Sequence, residues 1–337
     1  MDLSIGTPVD PVPPSVRAAL AGAADAPGYP ATQGTERLRE AAAGWLARRH
    51  AVPADPASVL PLIGSKEFIA SLPAVLGCGP GDTVVYPELA YPTYAIGALL
   101  AGATAVAADG LSAVGPGRVA LVWVNSPANP TGQVLPVAHL RKMVDWARER
   151  GAVVAADECY LDLGWEAEPA SILRPEVCGG SAQGVLAVHS LSKRSNMAGY
   201  RAGFVTGDPA LIADLLEIRR HAGMMMPGPV QAAMTAALDD DAHADEQRGR
   251  YAARRARLRA ALAAAGWETE HSEAGLYLWA SRLGVDCWGS VQLLAETGIL
   301  VAPGEFYGPS GRSHVRVALT ATDERIDAAV ARLAALA

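Results

Sequence analysis

Lysine is almost missing from this chain. Of its 28 basic side chains only Lys66, Lys142 and Lys193 are lysines. Where arginine has replaced lysine so thoroughly, a lysine that remains is a candidate for chemistry a guanidinium cannot do, such as forming a Schiff base. Cysteine is scarce as well. Cys78, Cys159, Cys178 and Cys287 show neither CxxC nor Cys/His spacing, which argues against a disulfide framework and a zinc site, so no metal is expected. No window approaches the roughly 18 to 20 uninterrupted apolar residues that a transmembrane helix needs. The opening MDLSIGTPVDPVPP has no positive n-region and no long apolar run, so it reads as neither a signal peptide nor an anchor. Positive charge is in deficit, with a net charge of −7 and no basic block, which argues against a nucleic-acid surface. The expectation is a cytoplasmic enzyme with no nucleic-acid or membrane partner.

What the chain does have is an ordinary globular composition, 50% apolar and 19% charged, over 337 residues. That length suits about two domains. From Val59 to Thr206 short apolar runs alternate with helical stretches, the pattern of a sheet covered on both faces. The strand candidates are 59–63, 83–86, 103–107, 119–124, 152–156, 185–188 and 204–206. Several are apolar throughout, as strands buried on both faces are. Helices are expected over 137–150, started by Pro136, and from Asp208 as N-cap with Pro209 in the first turn to about His221. A long Ala/Arg-rich helix over 244–265 precedes a change of character. Strands at 276–280 and 314–319 then alternate with helices near 290–297 and from Asp323. The expected fold class is α/β: a large domain (10–245) with a mostly parallel seven-stranded sheet, plus a smaller α+β domain (246–337) joined by residues 1–9.

The informative polar residues follow the carboxyl ends of the strands, where open α/β sheets bind ligands. They are Gly64-Ser65-Lys66, Asn125 to Pro130, Asp157 to Tyr160 and Ser190 to Lys193. A lysine at a strand end, with hydroxyls and an arginine nearby for a phosphate, is what pyridoxal 5'-phosphate (PLP) requires. Lys193, Ser190 and Arg201 fit those tasks; a solvated surface loop accommodates the same residues. Asp157 can face the cofactor's pyridine nitrogen and keep it protonated, or serve as a helix N-cap. Tyr160 and Asn129 can address its phenolate oxygen, although Asn129 also suits a turn. Gly64-Ser65-Lys66-Glu67 opens a helix whose amides can hold phosphate. Tyr91 can stack on the ring or sit in the core. Arg316 alternates with Val315 and Val317, and its planar fork suits a substrate carboxylate as well as it suits solvent.

Together these residues resemble the fold-type I, class I/II aminotransferases, and the likeness runs through nearly the whole chain in order. Its elements are Gly6-Thr7-Pro8, Tyr29 with Gly34, Gly64 to Glu67, Tyr91, Asn129-Pro130-Thr131-Gly132, Asp157 with Tyr160, Ser190-x-Ser192-Lys193, Arg201-x-Gly203 and Arg316. The resemblance implies the type I PLP-dependent transferase fold, with Lys193 as the covalent anchor and proton shuttle. It implies Asp157 on the pyridine nitrogen, Tyr160 and Asn129 on the phenolate oxygen and Tyr91 on the ring. Ser65, Lys66, Ser190 and Arg201 would lie at the cofactor, and Gly6, Asn129 and Arg316 at the substrate. It also implies a homodimer in which Tyr29 reaches the partner's phosphate. Amino acids and 2-oxo acids would be the substrates.

Within that family, Ser4 to Pro11, Ile63 to Glu67, Pro87 to Tyr94 and His221 to Pro227 look like actinobacterial N-succinyldiaminopimelate aminotransferases. That implies glutamate as donor, N-succinyl-2-amino-6-oxopimelate as acceptor and a place in lysine biosynthesis. Lys66, Arg194 and His221 are the candidates for reading a distal carboxylate. The chain reaches the Gly6 segment almost at once, where relatives carry a preceding segment near the site entrance, so closure over substrate need not follow the family's pattern.

Other readings find less in the sequence. Ser190-x-x-Lys193 matches the motif of penicillin-recognising serine enzymes, but Ser-Asp-Asn and Lys-Thr-Gly are missing. There is no Walker loop or HExxH, and Gly77 to Gly81 misses the dinucleotide fingerprint. A ligand-sensing module would require a DNA-binding domain for which there is no room. Lyases, decarboxylases and cyclases on the same fold stay open, because fold does not fix reaction.

Overall fold

The computed structural model describes residues 1–110, 114–115 and 117–336. Two sheets organise them. The larger holds β1 (Val59–Ile63), β2 (Asp82–Tyr86), β3 (Thr104–Ala107), β4 (Arg118–Asn125), β5 (Val153–Asp157), β6 (Val185–Ser190) and β7 (Ala202–Gly207), in the order β1-β7-β6-β5-β4-β2-β3. The pairs among β2 to β6 are parallel, and β7 is antiparallel to both β6 and β1. The sheet is therefore mostly parallel, as the unbroken apolar runs imply.

Those runs alternate between two cores. Val122, Val124, Val185 and Ala187 pack on one face, while Leu121, Trp123, Leu186 and Val188 pack on the other. The first face is covered by α1 (Pro14–Gly22), α2 (Glu36–His50), α5 (Val137–Glu149) and α9 (Gly228–Asp239). The second is covered by α3 (Ser65–Val75), α4 (Thr93–Leu100) and α8 (Pro209–His221); a short α6 (Pro175–Cys178) and α7 (Leu191–Arg194) lie in the connections. Asp208 caps α8 as its sequence indicates, its Oδ1 accepting from Ala210 N at 2.8 Å. Pro136 stands one position outside α5, as its N-cap.

A long α10 (Ala242–Ala264) leads to the second sheet. Its strands are β8 (Glu268–Glu270), β9 (Tyr277–Ser281), β10 (Ala302–Pro303) and β11 (His314–Ala318), in the order β10-β11-β9-β8, with α11 (Cys287–Glu296) and α12 (Asp323–Leu333) packed against them. Residues 1–3 join this unit: Leu3 donates to Leu300 O and accepts from Ala318 N, both at 2.8 Å, and its side chain enters the same core.

Chain direction explains why distant residues meet. β1, β4, β5 and β6 all end on one edge of the large sheet. Because β7 runs the other way, it starts there, with Ala202 opposite Ile63 and Gly203 opposite Ser190. Arg201 thus arrives beside Gly64 and Ser190.

Candidate active site

At that edge a cavity of about 340 Å³ is lined by every site candidate of the sequence except Tyr29 and the distal-carboxylate candidates Arg194 and His221: Gly6, Ser65, Lys66, Tyr91, Asn129, Asp157, Tyr160, Ser190, Lys193, Arg201 and Arg316. Ser192, Cys159 and Tyr277 line it too, with Ile5, Thr7 and Ile69. Two of the three lysines face this space, and Lys142 is exposed on α5. Tyr29 lies outside its own chain's cavity and is 94% exposed. Of the three candidates for a distal carboxylate only Lys66 lines the cavity. The buried Arg194 is spent on Asp162 Oδ2 at 2.6 Å and Ala237 O at 3.0 Å, and His221 binds Glu217 at 2.8 Å on the outside of α8. Position beside a motif misled here, because both side chains point away from the sheet edge.

Asp157 ends β5 with a fully buried carboxyl group. Its Oδ2 accepts from Tyr94 Oη at 2.8 Å and its Oδ1 from Cys159 N at 3.1 Å. Burial pushes this carboxyl up, while those hydrogen bonds and the Lys193 ammonium pull it back. A cation in the cavity would complete that balance, as a protonated pyridine nitrogen does. Tyr94 carried no role in the sequence reading, since a tyrosine in the first turn of an apolar helix passes for core. Its phenol is pushed well up by burial and stacks on Trp123 at 5.1 Å.

The phosphate end is built from backbone. Gly64 (φ +79°) precedes α3 without a side-chain cap, which leaves the first amides of the helix free to face an anion. A Cβ at Gly64 would fall 2.2 Å from Arg201 Nη2, so glycine is what lets guanidinium and main chain approach. Arg201, itself at φ +55°, is fixed through Nη1 to Ala198 O at 2.8 Å. Ser65 and Ser190 supply hydroxyls, Ser65 Oγ accepting from Cys159 Sγ at 3.3 Å. A helix N-terminus, hydroxyls and a fork are a donor set suited to a phosphate.

The opposite end belongs to the second sheet. Arg316 on β11 is 7% exposed; its Nη1 donates to Asn129 Oδ1 at 2.8 Å and its Nη2 to Ser4 O at 2.7 Å. Asn129 is in turn held by Asn125 Oδ1, which accepts from its main-chain N at 2.8 Å. Among the described residues the other buried arginines, Arg194, Arg219, Arg254 and Arg255, each face a carboxylate. Arg316 faces none, and lies against the rings of Tyr277 at 3.9 Å and Tyr307 at 4.6 Å. Tyr160 Oη lies 3.3 Å from Tyr277 Oη. Tyr91 turns its ring toward Lys66, whose Nζ is 5.7 Å from the centroid.

Comparison with known proteins follows the same lines. The family model "Aminotransferase class I and II" matches residues 1–333. A probable aminotransferase of Mycobacterium tuberculosis is 62% identical over 334 residues, 99% of this chain and 80% of that protein. The 4-dedimethylamino-4-oxo-anhydrotetracycline transaminase of Streptomyces rimosus is 60% identical over 333 residues, 99% of this chain and 92% of its own length. The solved structure of a probable N-succinyldiaminopimelate aminotransferase from Thermus thermophilus superimposes with a TM-score of 0.89 at 31% identity, covering 100% of this chain and 95% of that one.

Proposed function

Because the chain belongs to the class I and II aminotransferases, a family that works with PLP, we propose that it moves the amino group of glutamate to N-succinyl-2-amino-6-oxopimelate. The observation that carries a carboxylate substrate is Arg316, a buried guanidinium with no carboxylate beside it among the described residues. A buried cation without a counter-ion is costly, and an incoming α-carboxylate repays that cost. The wording shared with N-succinyldiaminopimelate aminotransferases and the likeness to the Thermus structure support the acceptor.

PLP, when bound, accepts the amino group and draws electrons from the substrate's α-carbon. The residues do the rest. Lys193 anchors the cofactor and its Nζ takes the α-proton and later returns it. Asp157 holds the pyridine nitrogen protonated, with Tyr94 orienting its carboxylate. Tyr160 and Asn129 address the phenolate oxygen, and Tyr91 covers the ring. Ser65, Ser190, Arg201 and the start of α3, with Lys66 beside them, hold the phosphate, joined by the partner's Tyr29 in a homodimer. Arg316 and Asn129 grip the α-carboxylate against the Gly6 main chain, and Lys66 is the cation left for a distal group. Residues 10–245 form the cofactor domain and 1–9 with 246–337 the smaller one, in a cytoplasmic enzyme.

The Streptomyces relative, at 60% identity, favours a second reading in which the acceptor is a ketone on a polycyclic scaffold. One experiment addresses both. The holoenzyme's visible absorbance is followed with a panel of amino acids, and each 2-oxo acid, semialdehyde or cyclic ketone is then added. Glutamate should bleach the yellow band and the succinylated semialdehyde should restore it. Borohydride label should fall on Lys193; label on Lys66 would overturn the anchor. Elimination or decarboxylation of another amino acid, with glutamate inert, would replace the transaminase reading.

A further inference from the structure

We infer that Tyr277 is a positioning residue serving both ends of the site: its hydroxyl donates to Tyr160, and its ring fixes the plane of Arg316. The first half rests on the reading that Tyr160 faces the cofactor's phenolate oxygen.

Tyr277 opens β9, opposite Ala318 and diagonal to Arg316 on β11. Its hydroxyl lies 3.3 Å from Tyr160 Oη, and geometry allows either oxygen to donate. A phenol has one proton. If Tyr160 spends its own on the cofactor, the bond between the two tyrosines has a single direction, from Tyr277 to Tyr160. The main chain on the far side is close: a Cβ on Gly6 would come within 2.0 Å of Tyr277 Oη, so any side chain at residue 6 would displace that hydroxyl. This gives Gly6 a physical reason separate from backbone conformation. Burial, and then the neighbouring Tyr277, push the Tyr160 phenol well up, which keeps it a neutral donor. A donor that itself accepts a hydrogen bond donates more strongly.

The ring does a second task. Arg316 Cζ sits 3.9 Å from its centroid and 4.6 Å from that of Tyr307, while Asn129 Oδ1 and Ser4 O hold the two terminal nitrogens. Aromatic faces stabilise the cation without neutralising it. The fork keeps its charge for a substrate where an internal carboxylate would compete.

The test compares wild-type holoenzyme with Tyr277→Phe, Tyr277→Leu and Tyr160→Phe. Two quantities are read: the pH midpoint of the visible absorbance, and the Kd for glutarate, which is glutamate without its amine. Weaker donation to the phenolate oxygen leaves more negative charge there, which favours the protonated nitrogen near it, so the yellow form persists to higher pH. Tyr277→Phe should raise the midpoint and leave the glutarate Kd within about twofold, because the ring remains. Tyr277→Leu should raise the midpoint and also weaken glutarate roughly 3- to 30-fold. A midpoint that moves in Tyr160→Phe but stays put in Tyr277→Phe overturns the hydroxyl role and leaves the cofactor reading intact. If neither phenylalanine variant moves it, both fall. Unchanged glutarate affinity in Tyr277→Leu overturns the role of the ring. A failure of glutamate as donor would count against the proposed reaction alone, since neither readout depends on turnover.

Discussion

A guanidinium taken out of water without a carboxylate beside it costs several kcal/mol, and Arg316 bears that cost against two tyrosines. Arg316→Ala should lose about 2 to 5 kcal/mol of carboxylate recognition, roughly a 30- to several-thousand-fold fall in kcat/KM. Steady-state kinetics with glutamate would measure it, and a fall below tenfold would contradict the assignment. A second buried acid lies one residue from Asp157. Burial pushes the Glu158 carboxyl up to about 8 from its ordinary 4.5, and holds the adjacent His189 down to about 3 from 6.5. Between pH 4.5 and 8 the folded chain keeps a proton on Glu158 that the unfolded chain has released, so rising pH favours unfolding across that window. For His189 the sign reverses: the unfolded chain holds the extra proton from pH 3 to 6.5, and stability rises with pH there. Glu158→Gln keeps an acceptor for Ile172 N and should flatten the decline toward pH 8, as thermal midpoints at pH 5 and 8 would show; equal declines in the two proteins would count against it. Lys193 and Asp157 were legible because one follows a strand end and the other closes a strand. Tyr94 and Tyr277 were not, since an aromatic inside an apolar run reads as packing until its hydroxyl is seen to have a partner.

At the scale of elements, strand ends decide what reaches the cavity. The turn into the antiparallel β7 brings Arg201 to Gly64, and no period in the sequence announces that reversal. The core strands were legible because both of their faces are buried. β8 was missed because its Glu-Thr-Glu pattern has no apolar face, and β10 because it is two residues long. Helices α1, α2 and α9 drew no assignment: α1 buries Val16 alone, and α2 and α9 mix alanines and polar side chains, His50 and Gln231, with their larger buried residues. The cap at Asp208 let the start of α8 be read to the residue, whereas Asp286 caps α11 at Cys287, ahead of the start expected near 290. Asp208 accepts from both Ala210 N and Gly184 N, at 2.8 and 2.7 Å, tying the start of α8 to the turn before β6. Asp208→Ala should cost about 1 to 2 kcal/mol, measured by urea unfolding of the holoenzyme. A loss of under 0.5 kcal/mol would mean water replaces the carboxylate.

For the whole molecule, the cavity draws on both sheets, with Lys193 from one and Arg316 from the other. Asp10 ties them together, accepting two bonds at 2.7 Å from Arg254, which also binds Asp323 at the start of α12. The proposed dimer adds Tyr29. Tyr29→Ala and Lys193→Ala should each be nearly inactive, and mixing them after subunit exchange should restore about a quarter of wild-type activity, because half the dimers then carry one complete site. No recovery under conditions that scramble subunits would place Tyr29 outside the partner's site. Finally, the two lysines at the cavity and the third on α5 make a poor handle for bioconjugation. An amine-reactive dye, biotin ester or sensor-chip coupling has three lysine side chains to choose from, two of them in the site. With Lys142 exposed on α5 and the other two at the cavity, such a reagent would label the surface at Lys142 and the site at Lys66 or Lys193, so attachment that spares the site is better directed through carboxyl chemistry.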